Sequence, residues 1–308
     1  EQMRVEFSQS IEKLATEDES IVFITGDLGY NAFENLRDTL GNRFINAGVA
    51  EQNMVGVAAG MAYKGYKVFC YSIAPFVVYR CLEQFRNDVC FHDLPVFLVA
   101  NGGGYGYGIM GSSHHTLEDL ACLTGLQNVT AHVPAFSDEI ESVVNQIASV
   151  ARPAYLRLGA GKLTPENSYQ SGSFKVVHKP EAPEISVITL GPITNNALGA
   201  VIGNEELNDL VTIVAANTFP LEMPQDIQKI LHESSRIIVA EEHVSTGGLA
   251  QQLSVQLLEK GIRPDSFQSF RAQGYPDHKY GSQQFHQKNS LLDAASLEAA
   301  LLNLLQRA

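Results

Sequence analysis

The segment Phe44-Ile45-Asn46-Ala47-Gly48-Val49-Ala50-Glu51-Gln52-Asn53-Met54-Val55-Gly56-Val57-Ala58-Ala59-Gly60-Met61-Ala62 sets one carboxylate at the head of an apolar, small-residue stretch. Glu51 is its only acidic or basic side chain, the nearest being Arg43 and Lys64. An ionised acid is rarely buried alone, so Glu51 needs a dedicated partner or a place at an opening in the fold. A partner from outside the chain is the reading carried forward; a first-turn acid capping its helix, with its head in water, fits the bare segment equally well. Gly56, Gly60, Ala58, Ala59 and Ala62 leave little bulk, so a backbone or a flat ring can approach closely. The Gly-x-x-x-Gly spacing also occurs in paired membrane helices, but the run is far short of the ~20 residues of a span.

The whole chain, 308 residues, has room for two domains with proper cores. Hydrophobic residues make up 45% and charged residues 18%, which predicts a folded globular protein. A net charge of −13 argues against nucleic acid or an anionic membrane as partner. The first 16 residues are charged and amphipathic rather than a signal peptide, so the expected compartment is the cytoplasm. Cys70, Cys81, Cys90 and Cys122 show no zinc-ligand spacing and read as free buried thiols.

Short apolar runs at 21–25, 67–72, 95–100, 129–133 and 154–158 alternate with helical patterns near 4–15, 52–64, 76–89, 117–124 and 137–150. This predicts an α/β fold with a mainly parallel sheet covered on both faces. Residues 161–184, rich in Gly, Pro, Ser and Lys, read as a linker between a domain over 1–160 and a smaller α/β domain over 185–308. The second domain has expected strands at 185–190, 211–215, 236–240 and 266–270.

The wording Gly48-Val49-Ala50-Glu51-Gln52-Asn53-Met54, followed by its Gly/Ala-rich helix, resembles the thiamine-diphosphate signature of the transketolase family. Val239-Ala240-Glu241-Glu242-His243, followed by Gly247-Gly248, is similar to the family's C-terminal domain, so the resemblance covers essentially the whole chain. It implies a pyrimidine-binding domain and a C-terminal domain. It also implies that Glu51 hydrogen-bonds a ring nitrogen of the aminopyrimidine and shifts it toward an imino tautomer. That task requires a carboxyl group able to hold a proton at neutral pH, which desolvation favours.

Asn101-Gly102-Gly103-Gly104-Tyr105-Gly106-Tyr107-Gly108-Ile109-Met110-Gly111 ends in Gly-x-Gly-x-x-Gly, which invites a dinucleotide reading. No helix follows directly, because Ser112-Ser113-His114-His115 intervene, and no acid ends the next strand. The loop resembles instead the family's glycine-rich active-site loop, and His114 falls at the place of its histidine, suited to proton donation near the substrate. Without the resemblance, His114 and His115 read as a solvated pair. Met110 and Gly102 depart from the family's aspartate and early histidine, which points to an unusual acceptor.

The resemblance also places Phe76 against the aminopyrimidine face and Tyr79 one helical turn on, a stack worth roughly 0.5–1.5 kcal/mol. Core packing explains such an aromatic pair equally well on spacing alone. Arg157 falls at the position that grips a substrate phosphate, for which a guanidinium fork is suited. Arg4 matches a second phosphate contact, and Asp27 an aspartate near the cofactor ring.

The family holds diphosphate and Mg²⁺ through a separate domain marked by Gly-Asp-Gly and a later asparagine. Gly26-Asp27-Leu28 with Asn53 imitates this only superficially, since Leu28 replaces the second glycine. The resemblance therefore implies a split enzyme: this chain binds the pyrimidine side of thiamine diphosphate, and a diphosphate-binding N-terminal subunit completes a heterotetramer. The expected reaction is transfer of a two-carbon ketol group between sugar phosphates. The alternatives are the beta subunit of a 2-oxo acid dehydrogenase and a catalytically silent structural partner.

Overall fold

The computed structural model describes residues 2–29 and 32–306. Runs rich in Val, Ile and Phe fold as β1 (Ile21–Thr25), β2 (Phe44–Asn46), β3 (Lys67–Ile73), β4 (Val96–Asn101), β5 (Thr130–His132) and β6 (Ala154–Leu158). After them come β7 (Tyr169–Ser171), β8 (Phe174–His178), β9 (Ile185–Leu190), β10 (Val211–Ala216), β11 (Thr218–Phe219), β12 (Arg236–Glu241) and β13 (Ser266–Arg271). They build a seven-stranded sheet, β11-β5-β6-β4-β3-β1-β2, and a six-stranded sheet, β13-β12-β9-β10-β8-β7. The first is parallel except for β11; the second is parallel from β13 to β10 and antiparallel at β8 and β7. The expected α/β fold with mainly parallel sheets is what forms.

The central strands of the first sheet are buried on both faces, as parallel strands under helices must be. On one face lies α1 (Gln2–Glu17), whose Met3, Phe7, Ile11 and Ala15 recur every four residues and pack with Ile140, Val144 and Ile147 of the helix Ile140–Val150. Phe7 stacks on Tyr71 with ring centroids 6.2 Å apart, and Phe33, ahead of α2 (Glu34–Leu40), meets Tyr71 edge-on at 4.7 Å. On the other face, α3 (Glu51–Tyr63) buries Met54, Val55, Ala58, Ala59 and Ala62. Gly56 and Gly60 point away, with no atom of the chain within 4 Å of where a Cβ would stand.

Three departures from the sequence pattern bear on the architecture. The stretch 161–184, expected as a linker, contains β7 and β8, which extend the second sheet. β11, two residues after β10, crosses to the first sheet and pairs with β5. The expected helix at 76–89 is broken into α4 (Ala74–Val78), a turn at Leu82–Gln84 and a π-helical turn at Phe85–Cys90, a wider winding common where a helix borders a functional site. Among the described residues no helix is long and apolar enough to cross a membrane.

Candidate active site

Glu51 opens α3 at the carboxyl ends of the parallel strands, where open α/β sheets gather their ligands. Gly48, with φ of 71°, makes the turn into the helix, and Ala50 offers no side-chain cap, so the first-turn carboxylate is free to turn inward. It is 1% exposed. Ser72, near the end of β3, donates to Oε1 at 2.9 Å, and Arg80 Nη1 donates to Oε2 at 2.5 Å. Gly26, just past β1, lies so close that a Cβ there would stand 3.1 Å from Oε1. Within the chain Arg80 partners this buried acid, which removes the solvated-cap reading.

Phe76, on α4, joins this group. The Arg80 guanidinium carbon stands 4.3 Å from the centre of its ring, and the His114 ring meets it edge-on at 5.3 Å. Ser113 Oγ and His114 Nδ1 are 2.9 Å apart, and the Tyr107 ring lies 5.8 Å from that of His114. Glu51, Phe76 and His114, singled out by sequence, thus form one continuous cluster through Arg80, which was not. Asp27, in the left-handed region at φ 59°, follows Gly26 and accepts from Asn46 Nδ2 at 2.8 Å.

Tyr79 faces elsewhere: its hydroxyl donates to Glu118 Oε2 at 2.7 Å and accepts from the Glu118 backbone N–H at 3.0 Å. Burial pushes the Tyr79 hydroxyl's pKa up. Arg157, expected at a substrate phosphate, is drawn into the protein. It is 6% exposed, donates to the Glu242 carbonyl at 3.0 Å and faces Asp119 Oδ1 at 3.5 Å. Cβ atoms at Gly103 or Gly104 would overlap it, at 1.9 and 2.7 Å. A guanidinium wrapped in this way holds the glycine-rich loop from beneath, and its Nη1 makes no hydrogen bond within the chain. Arg4, on α1, hydrogen-bonds Tyr71, and its buried Nε has no partner.

The loop itself is fastened to the second sheet. Glu242, just past β12, accepts from the Tyr105 backbone N–H at 2.7 Å and from Gln283 and Gln287, with burial raising its pKa. Glu241 caps the helix Leu249–Glu259 from its strand, accepting from the N–H groups of Leu249 and Ala250, and burial raises its pKa to about 7. His243 Nδ1 donates to the Val244 carbonyl, leaving Nε2 to accept from the Ala121 N–H at 3.4 Å. The Glu-Glu-His run near the C-terminal end thus acts as a clasp. At Gly102 a Cβ would stand 2.2 Å from the Tyr107 ring, so a histidine cannot occupy this position while Tyr107 fills the space. Met110 is 53% exposed on the loop's outer turn.

The cluster suits the pyrimidine side of thiamine diphosphate: a buried carboxylate beside a closely packed glycine, with an aromatic face next to it. Among the described residues no three His, Cys, Asp or Glu side chains converge as a metal site.

The pattern described as "Transketolase, pyrimidine binding domain" matches residues 2–165. The B subunit of the apulose-4-phosphate transketolase of Phocaeicola vulgatus is 28% identical over 265 residues, which cover 84% of each chain. A 1-deoxy-D-xylulose-5-phosphate synthase of Clostridium perfringens is 26% identical over 97% of this chain but only 48% of its own length. Among solved structures, a split gene transketolase, described as an inactive beta4 tetramer, superposes with a TM-score of 0.80 at 26% identity, covering 99% of this chain and 98% of that one. The transketolase of Campylobacter jejuni shares the fold at a TM-score of 0.82 and 15% identity, over 46% of its chain. With the family pattern spanning more than half of the residues and relatives matching along most of its length, this chain belongs to the transketolase family.

Proposed function

We propose that this chain is the pyrimidine-binding subunit of a split, thiamine-diphosphate-dependent enzyme that transfers a two-carbon ketol group between sugar phosphates. The observation that carries this reading is the buried Glu51 carboxylate, placed at the strand ends between Gly26, Ser72 and Phe76. When bound, the cofactor supplies a carbanion-stabilising thiazolium. Glu51 holds or passes the proton at a pyrimidine ring nitrogen, and Phe76 offers the ring a stacking face. His114, edge-on to Phe76, stands ready to move a proton to or from a substrate oxygen. The diphosphate and Mg²⁺ fall to a second polypeptide in a hetero-oligomer, a division consistent with a relative that is itself one subunit of a transketolase and with a beta-only tetramer described as inactive. Asp27 lines the ring side, and Arg157 and Arg4, each with a buried guanidinium nitrogen that makes no hydrogen bond in the chain, are the cations offered to an anionic substrate group.

The test is the assembled complex with xylulose 5-phosphate as donor, run beside pyruvate to separate ketol transfer from 2-oxo acid decarboxylation. Glu51→Gln keeps the shape but cannot exchange the proton, and should lower turnover with the ketose by about 10²–10⁴-fold. Unchanged turnover in that variant would leave the chain a silent structural partner.

A further inference from the structure

The Arg80 guanidinium makes, at one place, the two contacts that the proposed function assigns to the aminopyrimidine. It bonds the Glu51 carboxylate, and it lies over the Phe76 ring at 4.3 Å. A guanidinium is flat, delocalised and rich in N–H donors, and so is an aminopyrimidine carrying a ring proton; both satisfy a carboxylate on one edge and an aromatic face on the other. The carboxylate is 1% exposed while the Arg80 side chain is 39% exposed, so the arginine reaches into the slot from its mouth and has solvent to withdraw into.

We propose that the Arg80 side chain is the resident occupant of the ring slot, and that thiamine enters by displacing it. The inference rests on the proposed function, since it takes the slot to be the pyrimidine's. Arg80 keeps Glu51 from being a buried charge without a partner. The slot consequently selects ligands that can take over both contacts, namely planar cations or amidine-like heteroaromatic rings. Affinity for thiamine is scaled down to the fraction of chains whose slot is unplugged.

Complexes assembled with full-length wild type or Arg80→Ala are titrated calorimetrically with thiamine and with thiamine diphosphate plus Mg²⁺, and the melting temperatures of the two full-length chains are followed with added methylguanidinium chloride. The plug predicts binding about tenfold tighter in Arg80→Ala, a lower melting temperature for that variant alone, and recovery of the lost degrees by methylguanidinium, which also competes with thiamine. Arg80→Lys, which keeps the charge but loses the planar fork, should bind thiamine between the two and gain nothing from methylguanidinium. Equal or weaker thiamine binding by Arg80→Ala would overturn the plug and leave the cofactor assignment standing. If no complex, wild type or variant, binds either thiamine compound, both ideas fall, whatever methylguanidinium does to the melting temperature.

Discussion

Glu51 and Arg80 are the only charged side chains in their respective apolar stretches, 44–63 and 68–82, and they find each other. The isolation of Glu51 marks the site in the sequence, and the same argument applied to the second stretch finds its partner. What no pattern could supply is the fold-back that brings a residue 29 positions later to the same carboxylate. Tyr79 and Arg157 show the same dependence on the fold. Their types and spacing suit a ligand, but a phenol and a guanidinium can equally satisfy the exposed acid Glu118 and the buried acid Asp119, and only the packing decides between water, ligand and protein as partner. The glycines of the loop are more informative. A methyl group at Gly103 would stand 1.9 Å from Arg157 Nε, so Gly103→Ala must push aside a buried cation. Its expected cost is about 1–3 kcal/mol of stability, measured by urea unfolding, whereas Gly125→Ala, which meets nothing, should cost far less.

At the scale of elements, the glycine-rich loop is held by an aromatic clasp as well as by Glu242. His115, 3% exposed, lies 2.8 Å from the Gly108 carbonyl through Nε2 and 2.8 Å from the Tyr275 hydroxyl through Nδ1. Because a carbonyl can only accept, Nε2 carries the proton and Nδ1 accepts from the phenol. Tyr105 stacks on His286 at 4.8 Å, completing a box of rings between the loop and the last part of the chain. Burial lowers the pKa of His115 to about 4. Between that value and the ordinary 6.5 of an unfolded chain, the unfolded state binds the extra proton, so the stability due to neutral His115 is present above pH 6.5 and is lost as pH falls toward 4. His115→Gln should cost roughly 1–2 kcal/mol at pH 8 through its two hydrogen bonds. The gap to wild type, measured by urea unfolding, should narrow at pH 5. A constant gap would mean that the ring serves only as packing. His286, whose pKa is also lowered by burial, has its ring 5.0 Å from that of His115, so the difference reports the pair rather than His115 alone. The sequence places this pair of histidines at the loop's end but says nothing of which one is buried; that depends on Tyr275 and Tyr280, more than 150 residues away.

At the scale of the whole molecule, the two sheets are stitched together. Eight of the nine expected strands overlap an observed strand by at least four residues, since β-branched runs under helices declare themselves. The strands that the pattern does not mark are β2, β7 and β11, of two or three residues, and the five-residue β8; they lie beside the breakers Asn, Gly, Ser and Pro and form through tertiary pairing. One of them matters most. β10 ends at Ala216 in the second sheet, and two residues later β11 begins, where Phe219 pairs with Ala131 in the first. One apolar cluster runs through Val133 and Tyr155 of the first half to Phe174, Ile188, Val214 and Val239 of the second, with Phe219 fully buried within it. Polar contacts follow the same seam: Glu139 accepts from Lys175 at 2.9 Å and from Asn217 Nδ2 at 3.3 Å. A core shared in this way couples the halves, so they should unfold together even though each has its own sheet. Phe219→Ala removes a buried ring from the seam and should cost about 3–5 kcal/mol. Amide exchange in β3, near the Glu51 site, and in β9, far from it, should accelerate by the same factor in that variant. Acceleration confined to β9 would show that the two halves are independent folding units and that the active-site cluster does not depend on the seam.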